Sequence, residues 1–249
     1  MKAVILAAGE GTRLKPLTNN IPKAFLSIGD IPLIYHSLRN LHQVGVDDVL
    51  FVTGFMESHF KKTLGDVFDK MNISYVSNPD YAKTNSMYSL SQIEGVIDED
   101  IILLESDLIY EQKALELLLE SQCDNVLLTS KLSGSGDEVF ICTDETGRIT
   151  DLGKNISQEN KGYAIGELVG ISKFSKKFLS KMFTTAKNDY KKGEKTYHYE
   201  ECAFRTSSKE HPLYALLCED LTWIEIDTKK DLQRAEEIIY PQIIKKEIA

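Results

Sequence analysis

The segment best equipped for chemistry is Ala7-Ala8-Gly9-Glu10-Gly11-Thr12-Arg13-Leu14-Lys15-Pro16-Leu17-Thr18, followed shortly by Pro22-Lys23. Backbone N–H groups of a glycine-rich loop suit phosphate oxygens. Arg13 adds a planar fork for phosphate and Lys23 a point charge. Two glycines after a strand also make an ordinary tight turn. Residues 1–30, however, set Lys2, Arg13, Lys15 and Lys23 against Glu10 and Asp30, a cationic excess in a chain of net charge −9. That imbalance fits an anionic ligand held near the start of the chain. Two carboxylates stand at comparable places further on. Asp107, in Glu105-Ser106-Asp107, follows the apolar run Ile101–Leu104, and Asp227 closes Trp223-Ile224-Glu225-Ile226-Asp227-Thr228. A carboxylate at the C-terminal end of a parallel strand projects into the crevice where open α/β sheets bind ligands. Each also fits a plainer role, capping the helix expected after it.

The loop excludes as well as suggests. Gly9 and Gly11 begin a GxGxxG pattern, but its third position is Leu14, where a dinucleotide site needs glycine for close helix–strand packing. No acidic residue follows at the distance that would hold a ribose, and the pattern GxxxxGK[ST] is absent. These absences disfavour a nicotinamide-dependent dehydrogenase. No Ser/His/Asp set or Cys/His pair stands out. Cys123, Cys142, Cys202 and Cys218 show no CxxC pairing or metal-ligand spacing and read as reduced thiols.

Positioning such residues needs a frame, and the apolar pattern supplies one. Val4–Ala8 reads as a buried strand, Leu33–Val44 as a helix ended by Gly45, Val49–Thr53 as a strand and Glu57–Phe68 as a helix. Ile73–Ser77, Met87–Ile97, Ile101–Leu104, Lys113–Ser121 and Val126–Thr129 continue the alternation. Alternation of this kind means parallel strands joined by right-handed crossovers, a doubly wound α/β sheet. After residue 130 the order changes. Ser133–Gly136 is a loop, and Glu138–Thr143 with Arg148–Leu152 reads as a hairpin. A strand at Tyr163–Ile171, helices at Ser175–Tyr190 and Tyr199–Ser207, short strands at Leu213–Cys218 and Trp223–Ile226, and an amphipathic helix at Thr228–Ile239 follow. The expected fold class is therefore α/β, a mostly parallel doubly wound sheet with a smaller hairpin and helical elaboration. No Pro/Ser-rich linker divides it, so residues 1–249 read as one domain, the second half decorating the first.

The chain has 42% hydrophobic and 27% charged residues. Its acidic balance argues against nucleic-acid or anionic-membrane binding. No apolar run approaches ~18 residues, so no membrane span is expected. The first strand is too short for a signal peptide, and a cytoplasmic protein is expected. The run Ile238–Ile244 keeps apolar side chains near the chain's end. Docking on the domain, dimerisation, or a further C-terminal domain would each cover it.

The ordered string strand–AAGEGTRLKPLT–x₃–PKAF resembles the signature of the nucleotidyltransferase family, which activates sugar phosphates and small phosphorylated alcohols. The resemblance implies a Rossmann-like fold in which residues 1–130 hold the nucleotide and 131–249 bind the acceptor and complete a metal site. It implies catalytic roles for Arg13, Lys23 and Asp107, and nucleotide contacts from Leu6, Ala7, Ala8, Gly9, Gly11, Thr12 and Glu105. It further implies that Asp107 and Asp227 share a Mg²⁺, which two carboxylates plus substrate phosphates usually hold. Because all three determinants are present, a catalytically silent regulatory domain is disfavoured. Asn78-Pro79-Asp80-Tyr81-Ala82-Lys83-Thr84-Asn85-Ser86-Met87-Tyr88-Ser89-Leu90 is similar to a segment of the cytidylyltransferase branch. On that likeness Asn85 and Ser89 hold the pyrimidine edge of CTP, although Ser86 and Ser89 also suit plain helix capping.

Asp151–Lys154, Ile165–Ile171 and Tyr199–Phe204 resemble the 2-aminoethylphosphonate cytidylyltransferases. That likeness implies Lys154 at the phosphonate and Tyr199 or Glu200 near the amine. Glu138, Glu167, Glu200 and Glu201 offer carboxylates for a primary ammonium, though each alone fits a solvated surface residue. Phosphocholine members would carry tryptophan where Val139 stands, and the single tryptophan here is Trp223. The expected acceptor is thus a small amine-bearing phosphonate, with phosphocholine, or a sugar 1-phosphate, as the alternative.

Overall fold

The computed structural model describes residues 1–248. The chain begins with β1 (Lys2–Ala7), then the small hairpin β2 (Ser27–Ile28) and β3 (Ile31–Pro32), and α1 (Leu33–Gln43). Next come β4 (Asp48–Thr53), α2 (Glu57–Leu64), β5 (Val67–Phe68) and β6 (Met71–Ser77). α3 (Ser86–Ser91), β7 (Ile101–Glu105), β8 (Leu108–Tyr110), α4 (Lys113–Glu120) and β9 (Val126–Ser130) follow. The rest comprises β10 (Phe140–Thr143), β11 (Ile149–Gly153), α5 (Gln158–Gly162), β12 (Gly166–Phe174), α6 (Lys176–Lys191) and α7 (Tyr199–Thr206). β13 (Tyr214–Leu217), β14 (Trp223–Glu225), α8 (Lys229–Arg234) and α9 (Tyr240–Ile248) complete it.

Strands β7, β1, β4 and β6 lie side by side and run parallel. Both faces are covered, which is why each reads as an unbroken apolar run. Alternate residues face opposite layers. Ile5, Phe51 and Leu104 pack under α1, α2 and α4 through Leu38, Phe60 and Leu115. Val4, Leu50 and Leu103 face the other way, onto Leu90, Phe178 and Cys202 of α3, α6 and α7. β12 is antiparallel to β7 along one edge and to β9 along the other, so strands from both halves of the chain join one sheet. The mixed, mostly parallel sheet with flanking helices matches the expected class.

The strand expected over Tyr163–Ile171 lies at Gly166–Phe174, and three expected helix ends move. The helix expected over Glu57–Phe68 stops at Leu64, because Gly65 (φ +62°) takes a conformation costly for other residues and turns the chain into β5. The helix expected over Met87–Ile97 is regular only through Ser91. The last helix runs past Pro241 rather than ending before it. A widened π turn over Ala235–Ile239 lies just ahead of that proline, where it accommodates the missing donor and the ring.

The apolar C-terminal run docks on the domain. Ile239 and Ile243 are buried with Ile109 and Ile224, and the Tyr240 ring lies over Gly29 so closely that a Cβ there would sit 2.2 Å from Cε1. Among the described residues no helix is long and apolar enough to cross a membrane.

Candidate active site

The glycine loop leaves β1 and turns at Gly11, whose φ of +61° favours glycine. A Cβ at Gly11 would lie 3.1 Å from Lys23 Cβ, so loop and lysine segment pack directly together. The Thr18 hydroxyl donates to Gly11 O at 2.8 Å and closes the turn. Leu14, fully buried, is the pivot from which Arg13 points outward. The loop departs from the dinucleotide pattern at the position where Leu14 anchors it to the core.

Neither aspartate is a cap. β8 intervenes between Asp107 and α4, and α8 is capped by Thr228, whose side chain accepts from Asp231 N. The antiparallel pairing of β14 with β8 sets Glu225 against Leu108, and Ile226 N donates to Asp107 O at 2.9 Å. That ladder brings residues 105–107 beside 225–227. Lys23 Nζ then donates to Asp107 Oδ2 and Asp227 Oδ1, each at 2.6 Å. Arg13 Nη2 lies 2.7 Å from Asp227 Oδ2.

Charge is unevenly matched here. Burial opposes ionisation of Lys23, but Asp107 and Asp227 outweigh it and raise its pKa. Burial likewise pushes Asp227 upward, yet Lys23 and Arg13 bring it below the ordinary value. Glu105 is raised well above the carboxylate range by burial and then by Glu225 and Asp107. Glu225 is pushed up to about 8 by burial and by Asp107 and Asp227. One ammonium and one guanidinium do not neutralise four carboxylates in so dry a place.

Carboxylate oxygens of Glu105, Asp107 and Glu225 lie within 4.8 Å of one another. Asp107 Oδ1 is buried without a hydrogen-bond partner among the described residues. An all-oxygen, anionic donor set with an unpartnered atom fits a hard divalent cation. The expected pair was Asp107 with Asp227; the cluster adds Glu105 and Glu225, while Asp227 is engaged by Lys23 and Arg13. Glu225 is the residue missed. Its signal was the Glu-x-Asp spacing shared by 105–107 and 225–227, since residues two apart on an extended chain face the same side.

Two cavities meet at this centre. The first, about 310 Å³, is lined by Leu6, Ala7, Ala8, Gly9, Gly11, Thr12, Arg13, Lys23, Asn85, Ser89, Glu105 and Asp107, so all the expected nucleotide-side residues share one wall system. Asn85 caps α3 by accepting from Ser86 N at 2.8 Å, and its Nδ2 donates to His198 Nε2 at 3.0 Å. Ser89 accepts from Asn78 Nδ2 at 3.0 Å. Capping and cavity lining thus coincide in Asn85. His198, unforeseen from sequence, lines both cavities. Because Asn85 Oδ1 is committed to a backbone donor, His198 Nε2 is the acceptor of the Asn85 Nδ2 bond. Burial keeps this imidazole's pKa low.

The second cavity, about 350 Å³, lies across Arg13, His198 and Glu225 and is lined by Lys154, Glu138, Glu167, Glu200 and Trp223. Glu167 is 3% exposed and accepts from Ser133 N and Oγ. Glu200 is 4% exposed, and its Oε2 has no partner among the described residues. Burial pushes both carboxyls up to about 7. Tyr199 is not brought to the cavity. It stands on the face of α7 that packs on the sheet, fully buried against Phe174 with its hydroxyl 3.4 Å from Ser172 Oγ. Its neighbour Glu200, about 100° further round the helix, reaches the cavity instead.

The Glu200 shift makes a stability prediction. Between pH 4.5 and about 7 the folded chain keeps a proton that the unfolded chain has released, so stability falls as pH rises through that window. Glu200→Gln removes the burden. Urea unfolding should show the variant more stable than the parent by about 1–3 kcal/mol at alkaline pH, with the gain vanishing near pH 4. A pH-independent difference would contradict it.

A parallel sheet with a glycine loop at its carboxyl edge, and two polar cavities meeting at cations and clustered carboxylates, is an arrangement able to hold anionic ligands beside a divalent cation. Residues 2–132 match the family model described as nucleotidyl transferase, and the chain belongs to that family. It is 27% identical over 241 residues to a CMP-5'-(3-aminopropyl)phosphonate synthase of Streptomyces rubellomurinus, spanning 95% of this chain but only 38% of that protein. It is 26% identical over 239 residues to a choline-phosphate cytidylyltransferase of Streptococcus pneumoniae, covering 96% and 98%. A 2-aminoethylphosphonate cytidylyltransferase of Lancefieldella rimae is 30% identical over 175 residues, covering 70% and 66%. The fold superposes on a CTP:phosphocholine cytidylyltransferase from Streptococcus pneumoniae with a TM-score of 0.76, at 24% identity, covering 95% and 98% of the two chains.

Proposed function

We propose that the chain transfers a cytidylyl group from CTP to 2-aminoethylphosphonate, giving CMP-2-aminoethylphosphonate and pyrophosphate. The carrying observation is the second cavity, which sets a cation, Lys154, and a buried carboxylate, Glu200, whose Oε2 has no partner among the described residues, beside the reaction centre. Those are complements for a phosphonate and a primary ammonium on one small molecule. The relatives' names, two of them for aminoalkylphosphonate enzymes, support the same class. In this reading 1–249 is one catalytic unit, 1–130 supplying the nucleotide cavity and 131–249 the acceptor cavity and Asp227. Its need for CTP suits a cytoplasmic protein.

The first cavity holds CTP, with the triphosphate on the Gly9–Gly11 loop and the pyrimidine edge toward Asn85 and Ser89. Glu105, Asp107 and Glu225, with Asp227 beside them, would hold Mg²⁺, which supplies charge neutralisation between the two anions. An ionised phosphonate oxygen attacks the α-phosphorus. The bond from that phosphorus to the bridging oxygen breaks, and pyrophosphate leaves with the electron pair. No proton need move, so catalysis rests on positioning and charge. Arg13 and Lys23 meet the charge on the departing pyrophosphate, and Lys154 orients the attacking phosphonate.

Pyrophosphate release with CTP and Mg²⁺, comparing 2-aminoethylphosphonate with phosphocholine, tests the acceptor. Release with the phosphonate alone is expected, and equal turnover of phosphocholine overturns the assignment. Trp223 in the cavity wall favours phosphocholine as the second reading, since an aromatic face suits a quaternary ammonium.

A further inference from the structure

The loop between β9 and β10 places a carboxylate on the cations that this reading gives to the substrates. Asp137 Oδ1 lies 2.7 Å from Lys154 Nζ, and its Oδ2 lies 3.5 Å from Arg13 Nη1. The loop is held from its other end by buried Glu167, which accepts from Ser133. Ser135 N donates to Ser133 Oγ and Asp137 N to Ser135 Oγ, each at 3.3 Å, so a short serine ladder carries that anchorage to Asp137. Glu105, Glu138, Glu167, Glu200 and Glu225 otherwise make the cavity wall acidic. Arg13 and Lys154, with Lys230 and Arg234, are the cations of that wall, and Asp137 is already paired with the first two.

We infer that Asp137 is an autoinhibitory contact, a built-in competitor that the acceptor's anionic group must displace from Lys154. The inference rests on the acceptor cavity assigned above. Both ion pairs are largely solvent-exposed, and exposed pairs are weak and readily exchanged. A dianionic acceptor gains more from Lys154 than the single charge of Asp137 does, so it can take the carboxylate's place. The cost of that displacement falls on every anion alike, so Asp137 lowers affinity at Lys154 without ranking one anion above another.

The test is calorimetric binding to the intact chain, its Asp137→Asn variant and its Asp137→Ala variant, at a pH where phosphonate is doubly ionised. The probes are 2-aminoethylphosphonate, its monoanionic analogue 2-aminoethanesulfonate, and inorganic phosphate. Both substitutions should tighten the phosphonate, the sulfonate and phosphate alike, by roughly three- to tenfold. Unchanged or weakened sulfonate binding in both correctly folded variants overturns the inference. If the parent neither binds nor turns over 2-aminoethylphosphonate, the acceptor reading fails, and inorganic phosphate then decides on Asp137 alone. Phosphate binding tightened by both substitutions supports the competitor role, and unchanged phosphate binding overturns it.

Discussion

Asp107→Asn is expected to lower turnover by about three orders of magnitude or more while leaving the fold intact. The substitution keeps the shape and removes one negative charge from the point where the Glu-x-Asp segments meet. Asp107 Oδ2 holds Lys23 at 2.6 Å, and its buried Oδ1 faces the carboxylate cluster without a partner. An amide there offers a weaker oxygen to a divalent cation and places N–H groups where acceptors are needed. Two readouts check the claim. Single-turnover pyrophosphate release reports the chemistry, and calorimetric titration with Mg²⁺ or Mn²⁺ should show weakened metal binding. Normal metal-dependent turnover in the variant would remove Asp107 from the mechanism.

Lys23→Ala should reduce kcat by about two to three orders of magnitude, provided the ammonium meets charge that develops on the leaving pyrophosphate. An effect confined to KM would show that it binds ground-state phosphate only. The same variant makes an unusual stability prediction. Lys23 is largely buried and is the cation between Asp107 and Asp227, with Glu105 and Glu225 close by. Its loss leaves buried carboxylates uncompensated, at a cost of about 3 kcal/mol or more in the presence of a chelator. A divalent cation should then stabilise the variant more than the parent, because binding to the folded state alone is worth RT ln(1 + [L]/Kd). Thermal melts with and without Mg²⁺ measure this, and equal metal-induced shifts in both proteins would count against a metal site at this cluster.

Much of the frame was legible from local pattern. Val4–Ala8, Val49–Thr53 and Ile101–Leu104 announce buried parallel strands because both faces of such strands are apolar. The loop with Arg13, Pro22 and Lys23 is likewise local, and its expected residues all line one cavity. Boundaries failed where one residue overrode the period, as Gly65 did in ending α2, or where an irregular turn absorbed a proline, as before Pro241.

What tertiary structure decided is who meets whom. Glu225 reaches Glu105 and Asp107 through the three-residue strands β8 and β14, too short to signal a partner in advance. Asp137 reaches Arg13 and Lys154 from a Gly/Ser loop with no periodicity to read. Along α7 the sequence offered Tyr199 and Glu200 equally, and packing on the sheet buried the tyrosine and turned the glutamate into the cavity. The sequence alone thus determined the parallel sheet, the glycine loop and the cations beside it, since backbone period and residue type are local quantities. The composition of the carboxylate cluster, the two-cavity geometry and the acid that guards Lys154 depended on long-range pairing, whose energy is set only when distant segments are packed together.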